Sequence, residues 1–241
     1  MPLVNIFISP HPDDISLSLG CYIKSLTGRK IIITTHCRSF DDDGMADQTI
    51  TRKKEELAFA EKVNAEVIFL DLPDTNCRGA SWWNFDYTLN KKDNDLIARL
   101  LINKITSIAK AYNLFCPLGV GMHPDHIACY YSSLQIFSHL RQPPESVFFY
   151  EEIPYSLLSK SRLLSQEAFL RKGELFEFLI QTDEKIRLLE CYTSQLQPEH
   201  INQIASGHSK ERMIKYNHSI ISKSTCITAE YLALMDGIKL V

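Results

Sequence analysis

The sequence predicts an α/β fold, a Rossmann-like, mainly parallel sheet with helices on both faces. Three observations predict it. Short β-branched or apolar runs alternate with stretches of helical length, as they do in repeated β-α-β units. His/Asp/Pro motifs stand where two of the apolar runs end, at the edge where open parallel sheets place their ligands. The chain has 241 residues with 45% hydrophobic content, enough for one substantial core, so a single domain over 1–241 is expected.

The elements follow in order. Leu3 to Ser9 reads as a buried strand, Asp14 to Leu26 as a helix and Ile31 to Thr35 as a second strand, which opens the fold with β-α-β. A helix over Gln48 to Val63, a strand at Glu66 to Leu70, a helix at Asp93 to Ala111 and a short strand at Leu114 to Cys116 continue the alternation. A helix from Asp125 to Leu140, a loop at Gln142 to Glu145 and a strand at Ser146 to Tyr150 come next. The last third is less regular, with a strand at Phe176 to Ile180 and helical charge spacing over Asp183 to Leu196. Two long loops, Arg38 to Asp47 and Pro73 to Tyr87, leave the C-terminal ends of predicted strands.

Charge and cysteine usage exclude several function classes. Against 26 Lys+Arg stand 29 Asp+Glu, a net charge of −3 with no block of five or more like charges, so neither nucleic acid nor an anionic membrane is an expected partner. The seven scattered cysteines form no C-x-x-C pair, which disfavours a disulfide framework and a thiolate zinc site. The apolar run near the N-terminus is too short for a signal peptide and nothing approaches a membrane span. A cytoplasmic location is the expectation.

Chemistry concentrates in two constellations. Ser9-Pro10-His11-Pro12-Asp13-Asp14 sits where the first strand meets the first helix, and His123-Pro124-Asp125-His126 follows a later strand. A His and an Asp separated by two residues in a turn reach one metal from adjacent corners, and the carboxylate between them is left to act as a base. Alone, each His-Pro-Asp reads best as a turn with a helix cap, because Pro fixes φ and Asp caps the helix. Together the motifs supply the two histidines and one carboxylate of a catalytic zinc site with a fourth position open. The same ligands suit Fe2+ and other divalent ions.

At these residues the sequence resembles the PIG-L/LmbE-type zinc-dependent N-deacetylases, which include enzymes of the mycothiol and bacillithiol pathways and of glycosylphosphatidylinositol synthesis. Arg52-Lys53-Lys54-Glu55, the stretch Leu70-Asp71-Leu72-Pro73-Asp74, and Tyr192-Thr193-Ser194-Gln195 preceded by Lys185 extend the resemblance over roughly residues 3 to 196. It implies a Rossmann-like sheet, zinc bound by His11, Asp14 and His126, and Asp13 as general base. His123 is implied to stabilise the tetrahedral intermediate, and Asp125 to orient a neighbouring imidazole. Either His123 or the newly protonated Asp13 then supplies the amine's proton. The implied substrate is a small N-acetylated sugar, N-acetylglucosamine-like, or a glycoconjugate. No G-x-G-x-x-G follows the first strand, so no nicotinamide is expected.

The chain departs from the family where Ile15 replaces the Glu that follows the paired aspartates, and where Gly121 replaces a Tyr two residues before His123. Candidate substrate contacts are Arg52, Asp74, Arg78 and Trp82, with Trp83 beside it as a sugar-stacking or lid residue. His208 and His218 read as surface or capping histidines, and Glu151 and Glu152 as residues that either shape the site or are solvated. The alternatives are another metal-dependent hydrolysis at the same site and a non-catalytic sugar-binding or scaffold protein.

Overall fold

The computed structural model describes residues 3–40, 47–78, 87–120, 123–140, 142–157 and 173–216. In chain order these form β1 (Val4–Ser9), α1 (Asp14–Ser25), β2 (Arg29–Arg38), α2 (Thr49–Val63), β3 (Glu66–Pro73), α3 (Tyr87–Ile108), β4 (Tyr112–Pro117), α4 (Pro124–His139) and β5 (Ser146–Tyr150). Then come β6 (Glu174–Leu179), α5 (Thr182–Leu189), α6 (Pro198–Gly207) and β7 (Lys210–Tyr216). The strands make one sheet in the order β3-β2-β1-β4-β5-β7-β6. The first five are parallel, and β7 pairs antiparallel with both β5 and β6.

Alternation along β1 decides which helices cover which face. Val4, Ile6 and Ile8 pack with Ile97, Leu101 and Ile105 of α3 and with Ile127 and Leu134 of α4. Phe7 faces the other way, toward Ile15 and Leu19 of α1 and Phe59 and Val63 of α2. Both faces are therefore buried, which explains the largely apolar strand, broken only at Asn5, whose Oδ1 accepts from Asn113 Nδ2 at 2.9 Å. On the second face Phe7, Phe115 and Phe148 stack across β1, β4 and β5 with ring centroids 4.3 and 4.7 Å apart. Burying each such side chain stabilises the fold by about 1.5–3 kcal/mol.

Helix α1 is kinked at Leu19, whose φ of −133° is not helical. The backbone groups freed there are satisfied by a buried ion pair. Lys185 Nζ donates to the carbonyls of Ser16 (2.8 Å) and Leu17 (2.7 Å) and to Glu211 Oε1 (2.7 Å). Glu211 in turn accepts the N–H groups of Cys21 (2.9 Å) and Tyr22 (2.7 Å). At Gly20 an added Cβ would stand 3.4 Å from Leu188 Cδ1, so the small residue lets α5 approach.

The sheet and its alternation match the expectation, and the differences lie at boundaries and in the last third. Helix α3 starts at Tyr87 rather than Asp93. The helix expected over Asp183 to Leu196 ends at Leu189, because the next residues turn to meet α2: Tyr192 O–H reaches Glu56 (2.6 Å) and Ser194 N–H reaches Glu55 (2.7 Å). The segment read as irregular holds α6 and β7. Charges at Lys210, Glu211, Arg212 and Lys215 mask β7 in the sequence, yet Glu211 is fully buried against Lys185. Among the described residues no helix is long and apolar enough to cross a membrane.

Candidate metal centre

The two motifs meet at the centre of the sheet. Strands β1 and β4 are parallel neighbours, and the chain leaves them for helices on opposite faces, so the loops after them flank the crevice where strand order reverses. After β1, Ser9 Oγ donates to His11 O (2.6 Å) and His11 N–H to Asp14 Oδ2 (2.8 Å), which closes the turn over the start of α1. His36 N–H anchors the turn to β2 through Pro10 O (2.8 Å). After β4, His123 is the N-cap of α4: Pro124 takes the first helical position and His123 Nδ1 accepts the N–H of Asp125 (3.2 Å).

Three imidazoles and a carboxylate converge. The ligand-capable atoms of His11, His123 and His126 lie within 4.8 Å of one another, all three residues buried. Asp14 Oδ2 stands 3.3 Å from His11 Nδ1 and 3.3 Å from His126 Nε2. His126 Nε2 is buried and makes no hydrogen bond, as a ring nitrogen aimed at a cation would be. Donor types and spacing therefore fit a divalent, zinc-like ion among His11, Asp14, His123 and His126.

A carboxylate stands behind His11 and another behind His126. His11 Nε2 bonds Asp125 Oδ2 at 2.9 Å, leaving Nδ1 to face the centre. Asp125 also accepts Thr75 N–H (2.9 Å), Thr75 O–H (2.8 Å) and the Arg78 guanidinium, with His36 Nε2 at 3.6 Å. His126 Nδ1 bonds Glu152 Oε1 (3.2 Å), and the Glu152 carboxylate gathers the N–H groups of Leu118, Gly119 and Val120 at 3.0, 2.8 and 3.2 Å. Such partners fix the tautomer and orientation of metal-binding histidines. A second group of donors, His11, His36 and Asp125, is close enough to hold an ion. Its Asp125 oxygens already receive donors from Thr75 and Arg78, which favours the first group.

Electrostatics assign protonation. Burial alone would depress the pKa of His11, but hydrogen bonds to Asp125 and Asp14 outweigh it and raise it to about 10. Burial would raise Asp14, and the neighbouring His126 and His11 instead hold it at about 2. Asp13 is pushed up by burial to about 7, against the pull of Arg52. His123 is driven down to about 2 by burial and by the neighbouring His11 and His126. A neutral His123 that accepts at Nδ1 carries its proton on Nε2. Burial, the neighbouring imidazoles and the helix cap keep this ring a neutral donor.

Asp13 has a backbone of its own kind, with φ 105° and ψ −32° in a region L-residues rarely adopt. Its N–H donates to Glu56 Oε2 (3.1 Å), and its carboxylate lies 3.4 Å from Arg52 Nη2. The Arg52 guanidinium is also held by Pro12 O (3.1 Å), Ser39 Oγ (3.0 Å) and, at 3.9 Å, Asp74 Oδ2.

A pocket of about 370 Å³ opens over these groups, lined by His11, Asp13, Asp14, His123 and Asp125 at its floor and by Arg52, Asp74, Asn76, Tyr155 and Gln195 on its walls. The structure brings together all six motif residues and places Arg52 and Asp74 beside them. Arg78 turns to Asp125 from behind. Trp82, Trp83, Gly121 and His218 lie outside the described residues, and His208 ends α6 with Nδ1 3.2 Å from Gly207 O. Sequence reasoning missed His36, Glu56 and Thr75 and left Glu152 undecided. Glu152 and Thr75 each follow a parallel strand, the signal that could have found them.

A model of the GlcNAc-PI de-N-acetylase family, PIG-L, matches residues 6–137, more than half of the chain. The chain belongs to the PIG-L family. Membership makes it a hydrolase of the N-deacetylase type. Solved structures similar to this PIG-L protein include a deacetylase of the teicoplanin biosynthesis pathway, at 18% identity and TM-score 0.65 over 88% of this chain and 97% of that one. An A40926 pseudoaglycone deacetylase gives 17% identity and TM-score 0.66 over 87% and 95%. The N,N'-diacetylchitobiose deacetylase of Pyrococcus horikoshii gives 15% and 0.59 over 89% and 84%. At these identities the likeness is one of fold, a mostly parallel sheet with helices. No curated protein matches the chain.

Proposed function

We propose that this PIG-L protein removes the acetyl group from an N-acetylated sugar or sugar-derived small molecule, with a divalent metal, zinc, held by His11, Asp14 and His126. The carrying observation is the position of Asp14 Oδ2, 3.3 Å from both His11 Nδ1 and the hydrogen-bond-free His126 Nε2, with a second, partly buried carboxylate, Asp13, immediately before it in the chain. When bound, the ion polarises the amide carbonyl and lowers the pKa of water. Among the similar structures are a deacetylase in complex with teicoplanin, an A40926 pseudoaglycone deacetylase and an N,N'-diacetylchitobiose deacetylase, which supports a sugar-bearing substrate.

The protein's own groups supply the remainder. Asp13, with its carboxyl near pKa 7, accepts the attacking water's proton. His123, a neutral donor at Nε2, stabilises the oxygen on which charge develops, a contribution of about 3–4 kcal/mol for one such donor. Protonated Asp13 then returns its proton to the departing amine, since His123 titrates far below neutral pH. Arg52, itself 3.9 Å from Asp74, holds Asp13 in place, and Arg52 and Asp74 both line the pocket where sugar hydroxyls would lie.

A non-catalytic protein has no use for Asp13 beside an intact ligand set, which favours the enzyme. The test is acetate release from a panel of N-acetylated sugars by zinc-loaded wild type and Asp13→Asn. Turnover by the wild type alone is expected. Equal turnover by both would remove Asp13 from the mechanism, and no release from any N-acetylated sugar would overturn the substrate class.

A further inference from the structure

We infer that Glu56 is a positioning residue for the reaction: by accepting the Asp13 N–H it holds the Asp13 backbone in its left-handed turn and so aims the Asp13 carboxylate into the pocket. The inference rests on the reading of Asp13 as the base.

Three observations carry it. Asp13 is a non-glycine residue at φ 105°, a conformation that persists only where its surroundings impose it. Its N–H points away from the pocket, to Glu56 Oε2 at 3.1 Å. Glu56 is fully buried on α2, and its carboxyl is fixed from two further sides: Tyr192 O–H donates to Oε2 at 2.6 Å and Thr34 O–H lies 3.4 Å from Oε1. A chain of contacts thus runs from the turn after α5, through α2, to the backbone of the base, and Glu56 itself lies outside the set of residues lining the pocket. Arg52, one turn earlier on α2, grips the same motif at Pro12 O and Asp13 Oδ2. Helix α2 therefore holds the motif by both its backbone and its side chain.

Hydrogen-bond geometry separates reach from charge. In Glu56→Gln an amide oxygen at the Oε2 position still accepts from Asp13 N–H and Tyr192 O–H, and the amide NH2 can donate to Thr34 Oγ1. In Glu56→Asp the charge is kept but the carboxylate is one methylene too short. If Glu56 acts by position, the glutamine variant keeps most of kcat, whereas the aspartate variant loses tenfold or more in kcat with KM and zinc content unchanged. A purely electrostatic role predicts the reverse order.

The experiment measures kcat, KM, zinc stoichiometry and Asp13 amide hydrogen exchange in wild type, Glu56→Gln, Glu56→Asp and Asp13→Asn. Exchange at Asp13 is read on metal-free protein and is expected to be slow in wild type and Glu56→Gln and fast in Glu56→Asp, a signature independent of turnover. If the aspartate variant fails to fold, Tyr192→Phe, which removes one of the two donors that orient Oε2, is expected to speed Asp13 exchange and lower kcat by a smaller factor. An aspartate variant with wild-type kcat and slow Asp13 exchange overturns the inference. An active Asp13→Asn overturns instead the reading of Asp13 as base, so the two failures are distinguishable.

Discussion

His126 Nδ1 lies 3.2 Å from Glu152 Oε1, and the same carboxylate collects three successive backbone N–H groups of the loop after β4. One side chain at the end of β5 thereby fixes both the ring that faces the centre and the loop that delivers His123. Glu152→Gln sets an amide NH2 against N–H donors and leaves at least one buried amide unpaired. It is expected to weaken zinc binding by about 10- to 100-fold and to cost about 1–3 kcal/mol of stability. Competition with a chelator and thermal melts measure both effects.

His11 sets the pH response of the metal-free protein. Its pKa of about 10 in the fold exceeds the ordinary 6.5, so the stability it contributes is full below pH 6.5 and is lost as pH rises through about 10. A zinc ion held as proposed would displace the Nδ1 proton, so the loaded protein is expected to escape that loss and to release about one proton from His11 on binding at pH 7. Melts of both forms from pH 6.5 to 10, and calorimetry in buffers of different ionisation enthalpy, test this. Metal-free melting points that rise with pH would contradict it.

His123→Ala removes the Nε2–H donor while leaving the three proposed ligands in place. A fall in kcat of about 10²–10³ is expected with zinc content unchanged. Loss of zinc in this variant would instead make His123 a ligand, as its distance to His11 and His126 permits.

Lys185 and Glu211 are both fully buried and satisfy the backbone groups freed by the kink in α1. Lys185→Met strands a carboxylate and two carbonyls, and a loss of about 3–5 kcal/mol is expected in denaturant unfolding. A loss under 1 kcal/mol would mean that the kink needs no such brace.

Much of this was legible in the sequence because its determinants are local. Strand β1 announces itself by a mostly apolar run, and the His/Asp/Pro motifs fall at strand ends by the rules of parallel sheets. The residues around them were not legible, because their roles depend on partners far away in the chain. Glu56 matters through Asp13 and Tyr192, Glu152 through His126, and His36 through Asp125. Strand β7 was hidden for a related reason: its buried Glu211 reads as a surface charge until Lys185 is beside it.

The central claim is the ligand set, and metal content tests it most directly. Mass spectrometry of gel-filtered, zinc-reconstituted wild type is expected to find about one zinc per chain, with little or none in His126→Ala or Asp14→Ala of matched fold. A folded wild type that retains no metal, or a His126→Ala variant that keeps its full complement, would contradict the account.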